Sequence, residues 1–197
     1  MLQKSKFAAI LFLAALTFLF INTTSAHCDS MEGPVVKAAQ KALETGHINY
    51  VLIWVQAEDE SEIQKLFEKV LNVRKINDAT KELADMYFFE TVVRIHRMGE
   101  GEPYTGLKPV GYHPAEGIEA ADIAIEKNSV ENILPHLDQK YHSKVKELFD
   151  DLQSKKNYNV NNLKAGREYV KAYVHFIHYV EGLFSGEDKP TEEHHHN

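Results

Sequence analysis

This chain of 197 residues has one cysteine and one tryptophan, and its scarcities exclude several classes of protein. Cys28 alone cannot make an internal disulfide, so oxidative stapling does not hold the fold together. Lys and Arg number 22 against 29 Asp and Glu. Neutralising phosphates requires a basic face, so nucleic acid is excluded as an expected partner. Only residues 7–21 form a long apolar run, and nothing after them would cross a membrane. There is no Gly-rich phosphate loop, paired-cysteine motif or haem-attachment motif, and no convincing nucleophile–base pair.

What is present begins with a three-part leader. Lys4 and Lys6 form a short positive region, residues 7–21 read FAAILFLAALTFLFI, and residues 22–26 are small and polar. This is the layout of a secretory signal peptide, with cleavage expected after Ala26. The alternatives are an uncleaved anchor and a lipoprotein. The second fits poorly, because His27 stands where a small residue normally precedes the lipidated cysteine. Cleavage leaves 171 residues, enough for one domain with a sizeable core, and removes two lysines, taking the formal charge from −7 to −9. The expected location is secreted or periplasmic, in the cell envelope, with no stable membrane span after processing.

The mature chain would start His27-Cys28, placing an α-amine, an imidazole and a thiol on two consecutive residues. Amine and imidazole close a chelate ring on one metal. The thiolate favours nickel, copper, zinc or iron over magnesium or calcium. The free amine titrates at roughly 7.7–8.0, so a metal displaces its proton near neutral pH.

Beyond Gly33 the pattern is helical, and the expected fold is an all-α bundle in one domain over 27–186, followed by a polar tail at 187–197. Pro34 opens a helix that stops at Gly46. HINYVLIWV, residues 47–55, is read as helix. Asp78 is the expected cap of a long helix through Met98, and another helix covers 164–184. Residues 99–117 hold five glycines and three prolines and read as a linker, although PYTGLKP within them could instead be a lid or contact surface.

Displacing the chain by 82 residues aligns it with itself without a gap. Ala38, Ala39 and Ala42 fall on Ala120, Ala121 and Ala124; Leu66 and Phe67 on Leu148 and Phe149; Ile95 and His96 on Ile177 and His178. Two pseudo-symmetric repeats, about 37–98 and 119–180, are therefore expected, with 99–117 between them. His96 shares a helical face with Phe89, Val92 and Val93, so it points inward. His96 and His178, at matched positions, become candidate ligands, since bundles build metal sites from facing helices. His175 is a weaker candidate, because its counterpart is Val93. Glu90 and Arg94, one turn apart, favour an ion pair or orient a ligand histidine, and Arg167-Glu168 invites the same two readings.

Two resemblances follow from these residues. HCDSMEGPVV, YFFETVVRIHR, GEGEPYTGLKP, AGREYV and FIHYVE resemble a family of exported bacterial proteins classed as a domain of unknown function. That resemblance implies no activity. The start HCD resembles the amino-terminal hook of the nickel superoxide dismutases, matched at His27, Cys28, Asp29 and Gly33. That hook implies nickel held by amine, imidazole, a backbone amide and two thiolates on a four-helix bundle. Here Glu32 stands where the second thiolate would be and Met31 where the hook has proline. Further ligands must then come from His96 or His178, with Asp29, Glu32, Glu90 and Arg94 around them. The expected function is an exported transition-metal-binding protein, redox-active if an enzyme and then of superoxide dismutase type. The competing reading is a non-catalytic binding or structural module of the envelope without metal. A homo-oligomer is left open, and no protein partner is indicated.

Overall fold

The computed structural model describes residues 27–186; the signal sequence expected at 1–26 and the tail expected at 187–197 lie outside the described residues, as does the His27 side chain. Among the described residues there are seven α-helices and no strand. They are α1 (Pro34–Thr45), α2 (Asn49–Leu52), α3 (Glu60–Val73), α4 (Asp78–Gly99), α5 (Glu116–Lys127), α6 (Gln139–Lys155) and α7 (Leu163–Ser185), with short 3₁₀ turns at His27–Asp29, Ala57–Asp59 and Leu134–His136.

Local chemistry sets the boundaries. Pro34 supplies a preset φ at the first position of α1, where no amide donor is needed, and Gly46 ends the helix in the left-handed conformation. The cap of α4 is Asn77, one residue ahead of the expected Asp78. Its side chain accepts from the Thr80 amide while the Thr80 hydroxyl accepts from the Asn77 amide, a reciprocal box. Asn162 caps α7 by accepting from the Ala165 amide.

The apolar stretch at 47–55 is helical only over Asn49–Leu52 and then turns. Its residues 51–55 are all buried. Burial without continued period is what lets the chain bend there while staying in the core. Arg167 of α7 reaches this bend, donating to the Leu52 and Val55 carbonyls at 3.2 and 3.4 Å and pairing with Glu60 of α3. Its partner is thus Glu60 rather than a metal-ligating histidine. A second arginine, Arg74, forks onto Asp85 of α4 at 2.8 and 2.9 Å and donates to the Leu43 carbonyl of α1 at 3.0 Å. Bidentate pairs of this kind fix relative orientation as well as contributing energy.

α1 and α3 pack on α4, and α5 and α6 pack on α7. Phe88, Phe176, Leu52, Ile63, Ile118, Ile133 and Leu152 are among the largest side chains fully enclosed between them. The segment after α4 does more than connect. The Met31 amide donates to the Lys108 carbonyl at 3.0 Å, and the Lys108 amide donates to the Asp29 carbonyl at 2.8 Å. The Gly111 amide donates to the Glu32 carboxylate at 2.7 Å. This clasp folds the linker over residues 29–32.

Candidate metal centre

The centre lies where the 3₁₀ turn at His27–Asp29 meets the carboxyl-terminal end of α4. Asp29 is 0 % exposed and Ser30 is buried beside it. The clasp to Lys108 holds this turn against the helix. Val93, His96 and Arg97 on α4 and Glu100, its C-cap, follow one another at helical spacing, so a stripe that begins apolar ends in an imidazole, a guanidinium and a carboxylate.

His96 is 3 % exposed. Its Nδ1 lies 2.8 Å from the Trp54 carbonyl. A carbonyl only accepts, so Nδ1 carries the proton, and in the neutral ring Nε2 bears the lone pair. Nε2 has no hydrogen-bond partner and lies 3.4 Å from Glu100 Oε1. The Trp54 indole stands edge-on to the imidazole at 5.7 Å and fixes the ring's plane.

Arg97, also buried, faces three carboxylates: Asp29 at 3.5 Å, Glu100 at 3.3 Å and Glu102 at 3.5 Å. Both Asp29 carboxylate oxygens and Arg97 Nε lack a hydrogen bond, so the Asp29–Arg97 contact is an ion pair at long range. Burial pushes the Asp29 carboxyl up to about 6, against the lowering pull of Arg97 and Lys108. Cys28 is half-buried. Burial pushes its thiol well above the ordinary value, and the charge of Glu100 adds to that. Arg97 acts in the opposite sense, and Asp29 and Asp122 in the same sense as Glu100. Cys28 therefore sits within the electrostatic reach of the α4 cluster, as a neutral thiol while no metal is bound. Tyr173 of α7 also stands edge-on to Trp54, its ring 5.7 Å from the indole, and its hydroxyl donates to Asp122 at 3.1 Å.

The expected site residues divide. Cys28, Asp29 and His96 border this cluster. Glu32 instead anchors Gly111. The expected Glu90–Arg94 pair is not formed: Glu90 accepts from the Tyr104 hydroxyl at 3.1 Å, and Arg94 lies 3.8 Å from Glu62. The loop brings Tyr104 to Glu90, and α3 brings Glu62 to Arg94, so each finds a partner off its own helix. His178 is one-third exposed, with Nδ1 3.0 Å from Glu181. Its surroundings differ from those of His96. His175 faces solvent.

Arg97, Glu100 and Trp54 are the residues that reading the sequence missed. The available signal was a charged residue at Arg97, four positions after the inward-facing Val93, where a solvated side chain would not be expected. Among the described residues no three of His, Cys, Asp and Glu converge tightly enough to enclose a metal ion. His96 and Glu100 supply two such groups, and Cys28 stands near.

The profile of a family of unknown function (DUF6448) matches residues 32–179. The chain belongs to that family. Cys28 and Asp29 precede the matched region, whereas His96, Arg97 and Glu100 lie inside it. No curated protein and no solved structure matches the chain.

Proposed function

We propose that this is an exported protein that binds a transition metal at its processed amino terminus, through the His27 amine and imidazole and the Cys28 thiolate, with His96 as a ligand from the bundle. The observation that carries the reading is the burial of the terminus. Asp29 is fully enclosed and clasped to Lys108, and the thiol beside it feels the charges of Arg97, which follows His96 on α4, and of Glu100, just past the helix end. A segment expected to follow a cleavage site would ordinarily be solvated and mobile. Here Asp29 and Ser30 are buried, with Asp29 3.5 Å from Arg97, the residue after a histidine whose Nε2 makes no hydrogen bond. Cleavage after Ala26 would create the amine, so metal affinity would depend on export.

The reading includes an internal duplication. Its support is that α1 and α5 start and end 82 residues apart. Their caps, Gly46 and Asn128, are both left-handed at that same offset. Buried pairs Ala39/Ala121, Ala42/Ala124, Val51/Ile133 and Ile63/Val145 follow it too. In this reading the first repeat kept a buried histidine for the metal, and the second let His178 become a partly exposed partner of Glu181.

Mass spectrometry of the exported protein tests the proposal, since it reports the first residue and the bound metal together. The expected result is a chain starting at His27 with close to one nickel, copper, zinc or iron ion. Substoichiometric metal unchanged by His27→Ala or Cys28→Ser would sink the reading. A version retaining Met before His27 should bind more weakly. Superoxide decay on the metal-loaded protein then separates a dismutase-type oxidoreductase from a carrier.

A further inference from the structure

We propose that Glu100 is a direct metal ligand, joining His96 Nε2 in a two-residue half-site that waits in the bundle for the processed terminus. The inference rests on the metal reading above, but it assigns a ligand from a different element and can fail separately.

Three observations carry it. The first is the tautomer. Nδ1 is committed to the Trp54 carbonyl, so the buried Nε2 presents a lone pair. Metal-bound imidazoles are commonly held in this way, one nitrogen on a carbonyl and the other on the ion. In the neutral ring that lone pair faces a carboxylate oxygen 3.4 Å away. Two acceptors in that position repel unless a proton or a cation lies between them.

The second is the spacing. Ligand nitrogen and oxygen stand roughly 2.0–2.2 Å from a tetrahedral metal, and at the tetrahedral angle that separates the two donors by about 3.4 Å. The observed 3.4 Å separation matches that spacing.

The third is charge. The Glu100 side chain is 8 % exposed, and its other oxygen, Oε2, accepts from Arg97 at 3.3 Å. Arg97 is simultaneously opposed by Asp29 and Glu102. One guanidinium shared among three carboxylates leaves Glu100 undercompensated, and buried charge is normally paired or metal-bound. Arg97 also orients the carboxylate, holding Oε2 so that Oε1 is turned to His96. The half-site needs at least one further donor, and Cys28 with the terminal amine supplies it. A set of imidazole, carboxylate and thiolate suits zinc, copper(II) or nickel over magnesium or calcium.

Cobalt(II) is a suitable probe, because thiolate coordination gives a charge-transfer band and coordination number sets the strength of the d–d bands. The protein processed to His27 is titrated with cobalt as wild type, Glu100→Gln, Glu100→Asp, Glu102→Gln and Cys28→Ser. The wild type should show both the thiolate band and strong four-coordinate d–d bands. Glu100→Gln should keep the thiolate band, lose d–d strength and bind more than tenfold more weakly, whereas Glu102→Gln, which alters only the sharing of Arg97, should keep both bands. Glu100→Asp keeps the charge facing Arg97 but withdraws the oxygen from His96, so it should show the same loss and guards against a folding artefact in the amide variant. A thiolate band with wild-type affinity in both Glu100 variants would overturn the assignment of Glu100 and leave the terminal site standing. Cobalt bound without a thiolate band, but lost in Glu100→Gln, would uphold Glu100 and overturn the terminal site. No cobalt bound by the wild type overturns both.

Discussion

His96 donates a hydrogen bond from Nδ1 to the main-chain carbonyl of Trp54, 42 positions earlier, across 2.8 Å. That bond ties the end of α4 to the bend after α2 and decides which face of the imidazole is chemically available. Nitrogen-15 NMR should show a proton on His96 Nδ1, and added zinc should shift the Nε2 resonance while that Nδ1 proton stays. His96→Ala leaves the Trp54 carbonyl buried without a donor and should cost about 1–3 kcal/mol in denaturant unfolding.

Cys28 should be a poor nucleophile without metal. Burial first, and the Glu100 charge second, hold its thiol well above the usual range, so little thiolate exists at neutral pH. Alkylation by iodoacetamide, followed by mass spectrometry, should run more than tenfold slower in the folded protein than in denaturant. Glu100→Gln should speed it, since a negative neighbour is removed. Alkylation of the folded protein at the denatured rate would contradict the placement of the thiol.

Asp29 gives a pH signature. Its carboxyl is raised in the folded state from 3.8 to about 6. The folded protein then binds a proton that the unfolded chain has released, so stability from this group is fully present below about pH 4 and is lost as pH rises through 6. The contribution is about 3 kcal/mol at the ordinary conversion of pKa to free energy. Between pH 4.5 and 7, the thermal midpoint of metal-free wild type should fall relative to that of Asp29→Asn. Parallel curves for the two proteins would show that Asp29 is not buried as described.

Gly117 tests the packing of the second half. A Cβ built there would stand 2.7 Å from the Glu181 Cα and 3.1 Å from the Val180 carbonyl oxygen, both backbone atoms that cannot swing away. Gly117→Ala should therefore destabilise by about 1–3 kcal/mol, because α5 must lift from α7. Alanine is otherwise the better helix former, so a neutral or stabilising outcome in chemical unfolding would refute this close approach.

The helical class was legible because period, caps and breakers agreed: Pro34, Gly46 and the stripe Ile63, Phe67, Val70 each pointed the same way. Cap position slipped by one because Asn77 and Asp78 are both good caps, and only the reciprocal bond to Thr80 separates them. The stretch at 47–55 was illegible in detail, since a fully buried run carries no period. At the candidate site, inward-facing His96 could be read from its helical face. Arg97 and Glu100 could not, because their burial depends on residues 29–32 and 102–111 folding over the end of α4. That is tertiary information, carried by Lys108 and Gly111 rather than by any local pattern. The Glu90–Arg94 expectation failed for the same reason: i,i+4 spacing offers a partner, and Tyr104 and Glu62 outbid it.

The clasp between residues 29–31 and Lys108 has a practical corollary for anyone handling this protein. An affinity handle or reporter joined ahead of His27 would be separated from the fully enclosed Asp29 by His27 and Cys28 alone, and it would occupy the amine that the proposed site requires. One placed after Gly186, past the left-handed stop of the last helix, would begin from an exposed residue.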